Sequence, residues 1–473
     1  MSSVSSQPEV TAHDAAARGP ILLLLGSALK WLVLAGVLSL VTSIQLIKPD
    51  FLADCSVLTH GRAVALAETA FVYGWLANAG LGVALWVLAR LGGEALRAGN
   101  WTMVGTAFWN LGVTVGCIGI ATGDATSFSL LQLPRYVQPL LAVAYAAIGV
   151  GGVLAWTGRR TAGTYASQWY AVAALFLFPW LFTAAQVVLF WSPVRGTMQA
   201  VAAGWFAQGA WTLWLAPLAL SGAYYVVPKV TGRTLPSYDF AGLGFWTLIF
   251  TGAWTGGRHL IGGPVPAWIP TLGIVACSLL LFHTLIVGLN LRGAFFQSGA
   301  VLKFTAFGLA AYLAGGVLDA LFSFRSLAEI TQFTHFTTAQ QQLAFTGGLS
   351  MMLFGSIYFA VPRLTGRAWA SGGMISLHKL AATGGVLVLV GSLAMAGWIQ
   401  GHALAEAKTS FAEISARTRP WLLAATAAQA LLLFGNLLLA VNFLRSVCAC
   451  CCGESAPTAS PFRAPGVMEA PAS

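Results

Sequence analysis

Residues Ala203 to Val227 read AGWFAQGAWTLWLAPLALSGAYYVV, and no Asp, Glu, Lys or Arg interrupts the chain between Arg195 and Lys229. A helix that crosses a bilayer needs roughly 20 predominantly apolar residues, so this stretch is long enough by itself. Comparable runs fall at 20–47, 63–92, 101–122, 136–157, 168–192, 238–262, 267–291, 301–324, 337–361, 376–400 and 420–445. Together they predict an all-α integral membrane protein of about twelve transmembrane helices. The connections are short and marked by proline or polar residues, as at Pro193-Val194-Arg195 and Pro236-Ser237-Tyr238-Asp239. No shift in composition separates a second domain, and no internal repeat stands out. The expected organisation is a cytoplasmic N-terminal segment 1–19, a membrane domain 20–446, and a short disordered cytoplasmic tail 447–473.

Composition supports the same class. Apolar residues make up 58% of the chain and charged residues 8%, against about 25% charged in a soluble domain. The 53 glycines would weaken soluble helices but suit close helix packing in lipid. A net charge of +10 could serve nucleic acid, but the basic residues are scattered through short loops rather than gathered into a patch, which excludes that partner. Their larger share falls on the side of the termini, so both termini are expected in the cytoplasm of a cell whose inner membrane holds the chain. Met1 to Gly19 is polar and lacks the short apolar core of a secretory signal.

The seven cysteines do not form a disulfide framework. Cys117 and Cys277 lie within apolar runs and Cys55 sits alone in a loop. Cys448, Cys450, Cys451 and Cys452 cluster at the end of the last run. They would suit a soft metal or palmitoylation, or a reduced tail with no role.

Two stretches carry more than composition. The first is Gly204-Trp205-Phe206-Ala207-Gln208-Gly209-Ala210, continuing to Gly222-Ala223-Tyr224-Tyr225-Val226-Val227-Pro228-Lys229, then Phe245-Trp246 and Trp254-Thr255-Gly256-Gly257-Arg258-His259-Leu260. The second runs from Thr334-His335-Phe336-Thr337-Thr338-Ala339-Gln340-Gln341-Gln342 to Phe354-Gly355-Ser356-Ile357-Tyr358 and Val361-Pro362-Arg363-Leu364. Together they resemble the catalytic subunit (subunit I) of the cbb3-type haem–copper oxidases, the C family of cytochrome c oxidases. That family carries Tyr-Tyr-x-Val-Pro-Lys after its sixth helix and Gly-x-x-Tyr-Tyr-x-x-Pro-Arg at the end of its tenth, where this chain has Phe359 for the second tyrosine. Gly61-Arg62 and Asn78-Ala79 add a third echo, and the resemblance covers roughly residues 56 to 400.

The resemblance implies twelve helices with both ends cytoplasmic, two haems and one copper. It also implies six histidine ligands on the second, sixth, seventh and tenth helices. Position by position they are mostly replaced. The second-helix haem ligand falls on Ala67 and the first copper ligand on Gln208. The adjacent copper pair falls on Arg258 and His259, and the tenth-helix haem ligands on Gln340 and Gln342. The family's cross-linked tyrosine falls on Gly252, and its ninth-helix glutamate on Leu318, beside Asp319. One imidazole of six cannot hold two haems and a copper, and the Arg258 guanidinium cannot shed its charge. No cofactor is therefore expected, with haem b as the alternative. His335 and His378 are the substitutes to consider, and neither has a second imidazole one turn away.

For what remains, plain and functional readings stand side by side. His259 with Arg258 is either a leftover ion or propionate site, or a histidine bonded to backbone or water near the membrane interface. Gln340, Gln341 and Gln342 either line a polar cavity or bridge helices by amide hydrogen bonds. Asp319 is an intramembrane carboxylate, hence a candidate ion or proton path, with Arg325 as an awkwardly spaced partner. Trp205, Phe206, Trp211, Phe336 and Phe345 are candidates to refill the space of absent haems. An open haem-sized void between helices two and ten would contradict that. The leading reading is a cofactor-depleted structural or regulatory subunit of a respiratory complex, one that docks other membrane subunits such as a membrane-anchored cytochrome c. A haem-containing oxidase subunit with unusual ligands, and a transporter or channel reusing the cavity, are the alternatives.

Overall fold

A computed structural model describes residues 11–161, 163–406 and 408–451, with side chains to Cys448. Cys452 and the proposed disorder of the tail lie outside the described residues, as do the side chains of Cys450 and Cys451. Every described regular element is helical, as lipid requires of a chain that must satisfy its backbone hydrogen bonds within each segment. Among the described residues eleven helices are long and apolar enough to span: Ala12–Ile47, His60–Gly92, Gly99–Thr122, Gln138–Thr157, Ala166–Trp191, Thr197–Thr231, Trp268–Phe296, Ala300–Leu321, His335–Thr365, Gly372–Ala405 and Phe411–Cys448. They take the places of the first to sixth and eighth to twelfth apolar runs. The first begins eight residues before its apolar run, because Thr11 caps it: its hydroxyl accepts the backbone N–H of Asp14 at 3.3 Å.

The seventh run departs from the expectation of a continuous helix. Ala241–Thr251 is α-helical, and Gly252–Leu260 continues as a 3-10 helix. The looser rise of the second piece lets the two reach roughly 35 Å together, enough for a hydrocarbon core of about 30 Å. Close approach explains the glycines here. A Cβ on Gly257 would stand 2.6 Å from the Ile269 carbonyl oxygen, and one on Gly252 would stand 2.6 Å from the Thr212 hydroxyl.

Three of the spans form the interior. The most apolar window of the second and sixth spans is 94% buried within the protein and that of the tenth is 89%, against 33–50% for the other eight. The three pack on one another: a Cβ on Gly80 of the second span would meet Leu218 of the sixth at 2.8 Å. One on Gly222 of the sixth would meet Val83 of the second at 2.8 Å, and the Ser356 hydroxyl of the tenth closer still. Each of the three holds a π-helical stretch, at Ala70–Leu76, Ala210–Leu215 and Leu343–Ser350. Each ends on a left-handed glycine, Gly93, Gly232 or Gly366, with a basic residue three positions earlier, Arg90, Lys229 or Arg363. This recurrence every fourth span is a repeat that the sequence did not reveal, because it resides in local geometry and two punctuating residues.

Candidate functional site

The π-helical stretches begin within a turn of Ala67, Gln208 and Gln342. Such insertions re-aim side chains within a helix and occur often at functional sites. Gln208 on the sixth span, Arg258 at the end of the seventh, Asp319 on the ninth and Gln340 on the tenth line one cavity, with Cys277 of the eighth. Its volume is about 50 Å³, room for a few waters and far too little for a porphyrin.

Arg258 organises the cavity. Its Nη2 lies 3.2 Å from Asp319 Oδ1, with the two side chains 11% and 27% exposed. Its Nη1 donates to Cys277 Sγ at 3.3 Å and to the Asp319 carbonyl oxygen at 3.4 Å. Its Nε donates to His259 Nε2 at 3.3 Å. Gln340 Nε2 approaches Asp319 Oδ1 at 3.5 Å. Arg325 is not the partner of Asp319; its Nη2 donates to Thr271 Oγ1 at 3.1 Å instead. The spacing from 319 to 325 turns the guanidinium away, whereas Arg258 reaches in from another span.

Two of the three glutamines take the roles expected of them, and the third takes neither. Gln340 lines the cavity. Gln341 Nε2 donates to Glu68 Oε1 at 3.2 Å and so bridges the tenth span to the second. Gln342 Oε1 accepts from Thr346 Oγ1 of its own helix at 2.7 Å. Glu68 was missed in the sequence reading, although a carboxylate inside an apolar run is itself a signal. It also accepts from Gln132 Nε2, in the connection between the third and fourth spans. Its neighbour Ala67 is buried and offers only a methyl group.

The second and tenth spans are in direct contact. Trp75 Nε1 donates to Ser350 Oγ at 2.9 Å, and the Trp75 ring lies 5.2 Å from that of Phe354. Of the expected fillers, Trp211 and Phe345 meet at 5.1 Å, while Phe336 packs on Phe322, Phe206 on Phe182 and Trp205 on Trp180. A larger aromatic cluster, which the sequence reading did not pick out, lies among the second to sixth spans, where Trp214 stacks on Phe178 at 3.9 Å beside Tyr73, Trp109 and Tyr145.

These residues do not fit the cofactors of the oxidase family. Among Gln208, Arg258 and His259, where the family resemblance would put the copper ligands, there is one imidazole, and the neighbouring Arg258 guanidinium is a permanent cation. Ala67, Gln340 and Gln342 provide no imidazole to haem iron. The proposed substitutes do not help. His378 is held by Tyr358, Nδ1 to Oη 2.8 Å, and is boxed by Phe304 and Phe354. His335 lies at the start of the tenth span with its backbone N–H on Gln400. His283, buried in the eighth span, uses both ring nitrogens, on the Gly244 carbonyl and the Tyr312 hydroxyl. Among the described residues no three His, Cys, Asp or Glu side chains gather as a metal site.

Residues 20–431 match the family described as Cytochrome C and Quinol oxidase polypeptide I. The chain is similar to cytochrome c oxidase subunit 1 of Rhodobacter capsulatus, 24% identical over 443 residues that cover 88% of this chain and 83% of the relative. It is also similar to the cbb3-type cytochrome c oxidase subunit CcoN1 of Stutzerimonas stutzeri, 25% identical over 358 residues covering 72% and 76% of the two chains. In fold it matches a chain of a heme-copper terminal oxidase dimer solved by cryo-EM. That match has a TM-score of 0.73 at 11% identity and covers 91% of this chain and 84% of that one.

Proposed function

This multi-pass membrane chain belongs to the Cytochrome C and Quinol oxidase polypeptide I family, and on that premise we propose that it is a cofactor-depleted member, serving a respiratory complex as a structural or regulatory subunit. One observation carries the reading: where the family resemblance places copper, Arg258 is paired to Asp319 at 3.2 Å. A charged pair with its own hydrogen bonds is a finished arrangement, whereas an evacuated metal site would leave buried donors without partners. The chain then performs no oxygen chemistry. It offers the family's membrane surface to other respiratory subunits, a membrane-anchored cytochrome c among them, from the inner membrane with both termini cytoplasmic.

The test is a reduced-minus-oxidised visible spectrum of the purified, folded chain, with iron and copper measured on the same sample. A colourless protein with neither metal is expected, and membrane cytochrome should copurify under mild detergent. Haem at one or two equivalents per chain would sink the proposal. The transporter alternative draws on the polar cavity around Asp319. It predicts ion-dependent uptake in liposomes that Asp319→Asn abolishes, and a chain inert in that assay leaves the subunit reading standing.

A further inference from the structure

The seventh span is the weakest piece of the bundle by its own local energetics. Its second half is a nine-residue 3-10 helix, a form with strained hydrogen bonds that seldom runs beyond three or four residues. Gly252, Gly256 and Gly257 within it give the backbone little reason to hold one conformation. Tertiary contacts must therefore fix its depth and register: Gly252 lies against Thr212 and Gly256 against the Gly204 backbone, and the polar ones gather at its far end. There Arg258 reaches Cys277 on the eighth span and Asp319 on the ninth, while Gln340 of the tenth completes the contact with Asp319. Gln332 Nε2 donates to the His259 carbonyl oxygen at 2.5 Å, tying down the neighbouring peptide.

We infer that the Arg258–Asp319 pair acts as a built-in substitute for a metal: it staples the glycine-rich 3-10 end of the seventh span to the eighth, ninth and tenth, so that the chain reaches its mature packing without haem or copper insertion. The inference rests on the cofactor-depleted reading and adds to it how the fold tolerates that loss. A metal ion joins helices by placing one cation among donors from several of them. A guanidinium with five directed N–H groups, covalently carried by one helix, does the same for acceptors on its neighbours. The geometry suits this role: Arg258 spreads its donors over a carboxylate, a carbonyl oxygen, a thiol and an imidazole. Because either charge alone is costly within a span, the pair is kept together or lost together. A staple of that kind specifies register as well as adding stability.

The experiment is expression of the full chain in a host unable to make haem, with copper chelated, beside a double-mutant cycle on the pair. The wild type should accumulate as folded, monodisperse protein with an unchanged melting midpoint under both conditions. Arg258→Ala and Asp319→Ala should each reduce folded yield and lower the midpoint. Arg258→Leu/Asp319→Leu should recover much of the loss, and the exchanged pair Arg258→Asp/Asp319→Arg should recover part of it. Additive losses in the double variants would overturn the inference even if the wild type is metal-free. Haem or copper in the wild type would instead overturn the reading beneath it, so the two failures are told apart. If the single variants fail to fold at all, Arg258→Lys decides. It keeps the charge but not the spread of donors, and an unchanged midpoint there would also refute the staple.

Discussion

Less than two turns separate Gln208 from Trp214 on the sixth span, yet they face interiors built on opposite principles. Around Trp214, five aromatic rings from five spans stack and tilt against one another at centroid distances from 3.9 to 6.5 Å. Around Gln208, a cation and an anion from two spans meet beside a cavity of about 50 Å³. The first region gains by dispersion, summed over many weak contacts and tolerant of small shifts. The second depends on a few directed contacts, each of which leaves an unpaired group when broken. The same bundle has thus become solid in two ways, and the two should fail differently.

The largest effect belongs to the aromatic region. Trp214→Ala should destabilise the folded chain by about 4 kcal/mol, through lost packing and the cavity left behind, read as a fall in the midpoint of denaturant unfolding in detergent. A cost below about 1 kcal/mol would mean that the cluster relaxes freely and the contrast fails. Next comes Arg258→Ala, at roughly 2 kcal/mol, below the full penalty for an orphaned buried charge because Asp319 keeps some access to solvent. The contrast sharpens if adding Asp319→Ala makes matters better, since no second truncation in the Trp214 cluster should do so. Ser350→Ala removes the acceptor of the Trp75 indole and should cost about 0.6 kcal/mol, the typical worth of a hydrogen bond between membrane helices. A loss several times larger would show that the second and tenth spans are joined by polar contacts more than by packing.

The smallest effect lies outside both regions and serves as a control. In the loop after the second span, the hydrogen bond from Arg160 at 2.7 Å, with Arg97 at 3.3 Å, holds the Glu94 carboxyl below its ordinary value of 4.5. A carboxylate depressed in the folded state stabilises above its unfolded pKa and loses that contribution as pH falls through the lower, folded value. Melting midpoints should therefore decline slightly between pH 5 and acid in the wild type, and Glu94→Gln should remove that part of the decline without changing the Trp214→Ala or Arg258→Ala differences.

The positions of the spans were legible, most ends to within a few residues, although the first and twelfth helices begin eight and nine residues before their apolar runs. The runs at 101–122 and 267–291, for instance, appear as helices Gly99–Thr122 and Trp268–Leu291. Hydropathy reads this well because a lipid-spanning helix answers mainly to the bilayer, a solvent known in advance. The seventh run shows the limit: its apolar composition says that it crosses but not that it changes to a 3-10 helix at Gly252, where Thr212 and Ile269 of neighbouring spans leave no room for a Cβ on Gly252 and Gly257. Among the site residues, Asp319 was marked by its charge. Its partner Arg258, 61 residues away, could be found only once two spans had been laid side by side. Glu68 carries the same signal as Asp319, a carboxylate inside an apolar run, but its partners Gln132 and Gln341 lie 64 and 273 residues away.

The sequence by itself determined that the chain lives in a membrane, roughly where its spans lie and which family it resembles. All of these follow from residue identity against a uniform solvent or a fixed pattern. Which three spans form the interior, that Trp75 joins the second span to the tenth while Trp214 stacks on Phe178 of the fifth, and that Asp319 takes Arg258 rather than Arg325 as its partner, were decided only by the tertiary structure. Interior position, aromatic contact and charge pairing are relations between helices, and in lipid the packing of one helix on another, not its own hydropathy, sets them.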